Sequence, residues 1–214
     1  MMQKKGFFIT LEGNEGCGKT TQIQLLYQFL KKKGLKVCRT REPGGTAIGD
    51  AIRSILLDAK NKKMTAIGET LLYMAARAQV AQEVIRPNLN KGSIVLCDRW
   101  LDATVAYQGY GAGVKLDWIH ALGEMATGGT RPDVTLFLDL PLATGLRRAK
   151  SHKKADRMEK KELAFHRRVR AGYQAIAKKD PQRFQCIAVS GSDGVWVVHE
   201  KIKKVLKRVL PSLS

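Results

Sequence analysis

FFITLEGNEGCGKTTQIQLLYQFLKKK, residues 7–33, decides the fold. Its first part, residues 7–13, is a short apolar run that ends in glycine. From Lys19 to Lys33, Ile23, Leu26, Phe29 and Leu30 recur at helical spacing. Between the two, Gly13-Asn14-Glu15-Gly16-Cys17-Gly18-Lys19-Thr20 fits G-x-x-x-x-G-K-[ST], in the strand, loop, helix order that makes this motif credible. The glycines let backbone N–H groups turn inward onto phosphate oxygens, and the start of the helix adds a favourable dipole. These eight residues are therefore expected to hold a nucleoside triphosphate, with Lys19 reaching the β- and γ-phosphates and the Thr20 hydroxyl ligating Mg²⁺. The N-K-x-D element with which a GTPase reads its base is not in the chain, and neither is the signature loop of a transporter ATPase.

Working outward, LKVCRT (35–40), SIVLCD (93–98), VTLFLDL (134–140) and FQCIAVS (184–190) read as further strands, each bounded by turn residues. Helical patterning occupies 47–57, 66–90, 100–107, 115–126, 141–150, 157–178 and 194–210. Unbroken apolar strands alternating with helices predict a doubly wound α/β fold, a parallel sheet covered on both faces. At 214 residues and 44% apolar the chain suits one domain, and it contains no repeat, low-complexity linker or heptad pattern at which to divide it.

The composition narrows the setting. No apolar run reaches 18 residues and the N-terminal MMQKKGFFITLEG lacks the h-region of a signal peptide, so a soluble, cytoplasmic protein is expected. Cys17, Cys38, Cys97 and Cys186 form no C-x-x-C pair, which speaks against a metal site or disulfide framework. Cys38, Cys97 and Cys186 read as buried strand thiols, and Cys17, inside a glycine loop, as accessible. The formal charge of +19 suits a polyanionic partner or a lysine-rich solvated surface. Residues 147–179 alone carry thirteen Lys or Arg against three acids.

Asp98-Arg99-Trp100 follows directly on SIVLC (93–97), at the carboxyl end of a central strand, where open α/β sheets bind ligands. An aspartate there can hold Mg²⁺, and a neighbouring arginine can bridge two phosphates and relieve their repulsion. The competing reading is a structural ion pair at a strand end.

REPGGT (41–46), LLYMAARAQ (71–79), DRWLDATVAYQG (98–109) and DRME (156–159), in this order behind the phosphate loop, resemble the bacterial thymidylate kinase family from about residue 7 to 175. The resemblance implies a P-loop kinase core with strand order 2-3-1-4-5. It also implies transfer from ATP·Mg²⁺ to dTMP, giving dTDP and ADP, in a homodimer; no specific nucleic-acid or membrane partner is expected. By position, Tyr73 corresponds to the family's stacking aromatic and Arg77 to the arginine that bonds a pyrimidine carbonyl. Thr104 and Gln108 fall where polar groups face the thymine ring, and Tyr107 near the deoxyribose. Arg41 and Pro43 would border the acceptor, Glu15 its 3′-hydroxyl, and Glu42 either the acceptor or the scaffold. No general base is expected, because the acceptor phosphate is already an anion.

The stretch 145–162, GLRRAKSHKKADRMEKKE, corresponds to the family's lid over ATP, roughly 145–160, which lends a cation to the transferring phosphate. Arg148 or Lys153 would be that cation, and Arg157 with Glu159 a pair that orders the lid. Lys150, His152, Lys153 and Lys154 stand where relatives often have arginine, and Cys17 where Ala or Ser is usual, which would make the loop a target for oxidation. Residues 195–214 read as an amphipathic packing helix with Val198, Ile202, Val205, Leu206 and Val209 inward. Two other readings compete, a kinase for another pyrimidine mononucleotide and a nucleic-acid-binding P-loop ATPase.

Overall fold

The structure, a computed structural model, describes residues 6–152 and 156–210; side chains of 150–152 are outside the description. Strand β1 (Phe7–Gly13) lies at the centre of the sheet, buried at every position after Phe7. It pairs in parallel with β3 (Ile94–Asp98) on one side and β4 (Val134–Asp139) on the other. Outside these run β2 (Val37–Arg41) and β5 (Phe184–Ala188), so the order is β2-β3-β1-β4-β5, as the resemblance implied. The expected strands are all present, with ends displaced by up to two residues.

Helices α1 (Lys19–Lys32) and α9 (Val195–Val209) close one face. There Leu26, Leu30, Val198, Ile202 and Leu206 pack on Ile9, Leu11, Leu136 and Leu138. The opposite face of β1 carries Phe8, Thr10 and Glu12, since strand side chains alternate with a period of two. Phe8 packs edge-on against Trp100, and the Thr10 hydroxyl is bonded to that of Thr135 at 2.8 Å. This face is covered by α3 (Ala66–Val80), α5 (Leu101–Thr104) and α8 (Leu163–Lys179), with α2 (Ala47–Leu57) packed on α3.

Two expected helices depart from regular α-helical geometry. The stretch 66–90 divides into α3, a π-helical turn at Ala81–Ile85 and α4 (Arg86–Asn90), whose second residue is Pro87, which has no N–H to donate. The helix expected at 100–107 is short α5 followed by a π-helical segment, Val105–Gly111; α6 (Leu116–Thr127) follows as expected. The helix expected from 157 begins only at Leu163, because Asp156 closes a separate turn before it. Asp156 Oδ1 accepts the N–H groups of Met158 and Glu159 at 2.8 and 2.9 Å, and Glu159 Oε2 accepts the Asp156 N–H at 3.1 Å. This is the reciprocal arrangement of a capping box on a single turn.

The cysteines correct two expectations. Cys17 is buried, its sulfur packed with the core beneath the loop and accepting a 3.6 Å contact from Lys19 Nζ, so it is not an accessible thiol. Cys186, on the edge strand β5, is exposed and Cys38 is half-buried; Cys97 alone is buried as expected. Among the described residues no helix is long and apolar enough to cross a membrane.

Candidate active site

A cavity of about 1130 Å³ opens across the C-terminal ends of β1, β2 and β3, where the strands hand over to their loops. One half is built from the phosphate loop. Gly18 adopts a left-handed φ of 94° and forms the N-cap of α1, with open space where a side chain would stand. The first N–H groups of α1 have no side-chain cap, and no acid occupies its first turn, so this helix start favours an anion. Lys19 Nζ donates to the carbonyls of Gly13 and Asn14, both at 3.0 Å, which fixes the ammonium against the loop. Glu15, Gly16, Gly18, Lys19 and Thr20 line the cavity, whereas Asn14 and Cys17 are turned into the protein.

Gly16, at φ 69°, meets the first turns of α7 (Leu142–His152) backbone to backbone. A Cβ on Gly16 would run into the Gly145 carbonyl oxygen, and one on Gly145 into that of Glu15. Arg148, further along α7, lines the cavity and donates to the Gly191 carbonyl at 2.9 Å. Lys153, the other candidate lid cation, lies outside the described residues.

Between the halves stand Asp98 and Arg99. The Thr20 hydroxyl donates to Asp98 Oδ2 at 3.4 Å, so two hard oxygen ligands converge beside the loop. No group of three or more His, Cys, Asp or Glu that could hold a metal ion occurs among the described residues. A few protein oxygens completed by phosphates and water is the coordination Mg²⁺ accepts, so the donor set fits that ion. Arg99 is a non-glycine residue at φ 71°, a conformation that persists only where neighbours enforce it. Its Nη2 donates to Glu15 Oε1 at 2.7 Å and its Nη1 to the Gly13 carbonyl and the Tyr173 hydroxyl, both at 3.1 Å. Tyr107 donates to the same Glu15 oxygen at 2.8 Å and lies under the Arg99 guanidinium, 4.9 Å from Cζ to the ring centre. Burial opposes the charge on Glu15, but Arg99, Lys19 and the Tyr107 hydroxyl outweigh it and hold the carboxyl at about 2.

The other half is lined by Arg41, Pro43, Tyr73, Arg77, Thr104, Tyr107 and Gln108, so the structure brings together every residue expected on the acceptor side. Tyr73 and Arg77 lie one turn apart on α3. Burial, with Glu69 beside it, pushes the Tyr73 phenol up, so the ring is neutral. Arg77 is 1% exposed and anchored: its guanidinium donates to Glu42 Oε2, to the Trp100 carbonyl at 3.2 Å and to Thr104 Oγ1 at 3.0 Å. Glu42, left open between acceptor and scaffold, is therefore the buried counter-ion of Arg77, 2.7 Å away. Burial drives its carboxyl up to about 7 against the pull of Arg77. Gln108 donates to Glu69 Oε1 at 2.7 Å.

Arg157 does not pair with Glu159 as expected. It forms a 2.5 Å ion pair with Glu69 and donates to the Leu56 carbonyl at 2.8 Å, while Glu159 accepts the Asp156 N–H. Sequence reasoning also missed Arg53, which lines the cavity on α2 and donates to the Pro43 carbonyl at 2.8 Å. A lone cation in the apolar helix AIGDAIRSILL was the available signal. With Arg41, Arg53, Arg77, Arg99, Arg148 and Lys19 on its wall, the cavity suits two phosphorylated ligands end to end.

Comparison with known proteins agrees with this geometry. The family described as Thymidylate kinase matches residues 11–202. A thymidylate kinase of Geotalea daltonii is 52% identical over 197 residues, covering 89% of this chain and 91% of the relative. That of Geobacter sulfurreducens is 47% identical over 212 residues, covering 96% and 99%. The crystal structure of thymidylate kinase from Ehrlichia chaffeensis superposes with a TM-score of 0.77 at 33% identity, over 95% of this chain and 99% of that one. With a phosphate loop facing an aromatic, arginine-lined acceptor half and the family matched over most of its length, the chain belongs to the thymidylate kinase family.

Proposed function

We propose that the protein transfers the γ-phosphate of ATP to dTMP, yielding dTDP and ADP. The observation that carries this is Arg99, placed between the phosphate loop and the Tyr73–Arg77 half of one continuous cavity. An oxygen of the acceptor 5′-phosphate attacks the γ-phosphorus while its bond to the β,γ-bridging oxygen breaks, and ADP leaves with that electron pair. No proton has to be removed from the nucleophile, so catalysis is positioning and charge neutralisation.

In this reading the loop residues 13–20 cradle the ATP phosphates and Lys19 follows charge from the γ- to the β-phosphate. Thr20 and Asp98 hold Mg²⁺, which would screen the phosphate charge when bound. Arg99 spans donor and acceptor phosphates, Arg41 and Arg53 hold the acceptor phosphate, and Arg148 or Lys153 supplies the lid cation. Tyr73 stacks on thymine, with Arg77, Thr104 and Gln108 at the base edge and Pro43 bordering it. Tyr107 and Glu15, joined to each other, face the sugar.

The whole chain is read as a single domain with a lid near 145–160, cytoplasmic, and without a specific nucleic-acid or membrane partner. A homodimer is supported by exposed apolar residues repeated on three helices, Ile48 and Ile55, Ile67 and Leu71, and Trp118 and Met125. A coupled ADP-release assay comparing dTMP, dUMP, UMP and dCMP tests the function; the highest kcat/KM is expected for dTMP, and a better acceptor among the others would refute it.

A further inference from the structure

Glu12 is wholly buried, does not line the cavity and has no part in the chemistry above. A carboxylate in such a place costs folding energy unless it is fully engaged. It is engaged, entirely around Arg99. Glu12 Oε1 accepts the Trp100 N–H at 2.7 Å, and Oε2 accepts the Tyr173 hydroxyl at 2.8 Å. The same Oε2 lies 4.0 Å from Arg99 Nη1, and the Tyr173 oxygen that donates to Glu12 accepts from that Nη1 at 3.1 Å.

Arg99 is thus held from both directions. Its own N–H donates to the Leu11 carbonyl at 3.0 Å and the next N–H, that of Trp100, to Glu12, which pins the left-handed backbone on either side. Its guanidinium donates to the Tyr173 hydroxyl, and the Tyr173 ring is stacked on Phe137 with centres 4.9 Å apart. Every polar contact of Glu12 leads to Arg99 or to its neighbour in the chain.

We propose that Glu12 is a positioning residue for phosphoryl transfer, holding Arg99 through the Trp100 N–H and the Tyr173 hydroxyl in the arrangement that reaches both phosphates. The inference rests on the reading of Arg99 as the bridge between substrates. Alternation along β1 explains the choice of position: residue 12 is the last of the strand to point into this face before the phosphate loop begins. Asp102, Glu15 and Tyr107 are the other ionisable groups around this cluster. Burial raises the Glu12 carboxyl to about 7, with Arg99, Tyr173 and the Trp100 N–H opposing and Asp102 adding to the rise.

The test is a double-mutant cycle with kcat and KM measured for each variant. Glu12→Gln keeps the volume and an acceptor for the Trp100 N–H but removes the charge. It should lower kcat about ten-fold, leave both KM values within about three-fold and leave the thermal midpoint near wild type. In an Arg99→Lys background the same change should cost less than about two-fold, because the arginine it positions is gone. An equal loss in both backgrounds, or an unchanged kcat in the first, overturns the proposal. A wild-type rate for Arg99→Lys alone instead overturns the bridging role of Arg99 and this inference with it. Should Glu12→Gln fail to fold, Tyr173→Phe carries the test. It should lower kcat about three-fold with Arg99 present and not with Lys at 99; a neutral effect overturns the relay.

Discussion

Arg99 Nη2 and Glu15 Oε1 are 2.7 Å apart, which ties the turn after β3 to the middle of the phosphate loop. Tyr107 donates to the same oxygen from the π-helical segment, so one carboxylate oxygen joins three parts of the chain. This pairing has a signature in acid. The folded Glu15 value, about 2, lies below its ordinary 4.5, so the stability it contributes is complete above pH 4.5 and is lost as pH falls through about 2. Thermal midpoints of wild type and Glu15→Gln should differ at pH 7 and converge toward pH 2. A gap that does not change with pH would contradict the pairing.

Tyr73→Ala should raise KM for dTMP about ten-fold or more, since base stacking on an aromatic ring is worth about 1–3 kcal/mol. Tyr73→Phe keeps the ring and should stay within about two-fold of wild type. Steady-state kinetics with ATP saturating reads both; equal effects of the two substitutions would mean that the hydroxyl matters and the ring face does not.

The buried Arg77–Glu42 pair should behave asymmetrically. Arg77→Met leaves Glu42 uncompensated and should cost about 3–5 kcal/mol in urea unfolding, while adding Glu42→Gln should recover most of it. Because the folded Glu42 value, about 7, lies above its ordinary 4.5, charging it costs stability as pH rises from 4.5 to 7. Without Arg77 that cost should continue to higher pH, so the deficit of Arg77→Met should widen from pH 6 to pH 8. A deficit that shrinks over this interval would rule the pair out as its cause.

Thr20→Ala and Asp98→Asn should each raise the Mg²⁺ concentration needed for half-maximal rate, and a chelator should abolish turnover in all three proteins. Titration of the metal at saturating substrates measures this. A Mg²⁺ dependence unchanged in both variants would remove these residues from the metal site.

The succession of strand, phosphate loop and helix was legible because β1, the loop and α1 are consecutive and each follows a local rule, whereas the strand order came only from the resemblance. The acceptor half was legible only through resemblance: Tyr73 and Arg77 read locally as a core ring and a solvated charge, and nothing short of the fold brings α3 to Thr104. Long-range partners were not legible. Glu12 looked like one more residue of an apolar strand, and its partner Tyr173 is 161 positions away. Arg157 misled because DRME places Glu159 two residues on, while the carboxylate it meets, Glu69, comes from α3. Cys17 misled for a related reason, since a glycine-rich loop suggests exposure but its side chains alternate between cavity and core.

Gly145 and Arg157 have unlike roots. The first is the glycine-to-glycine approach of α7 to Gly16 on the donor loop, and the second is Arg157, bound to Leu56 and Glu69 on the helices of the acceptor half. Gly145 and Arg157 stand like the legs of a calliper, one resting on each half of the cavity, so a change in the width of the cavity would be felt at both.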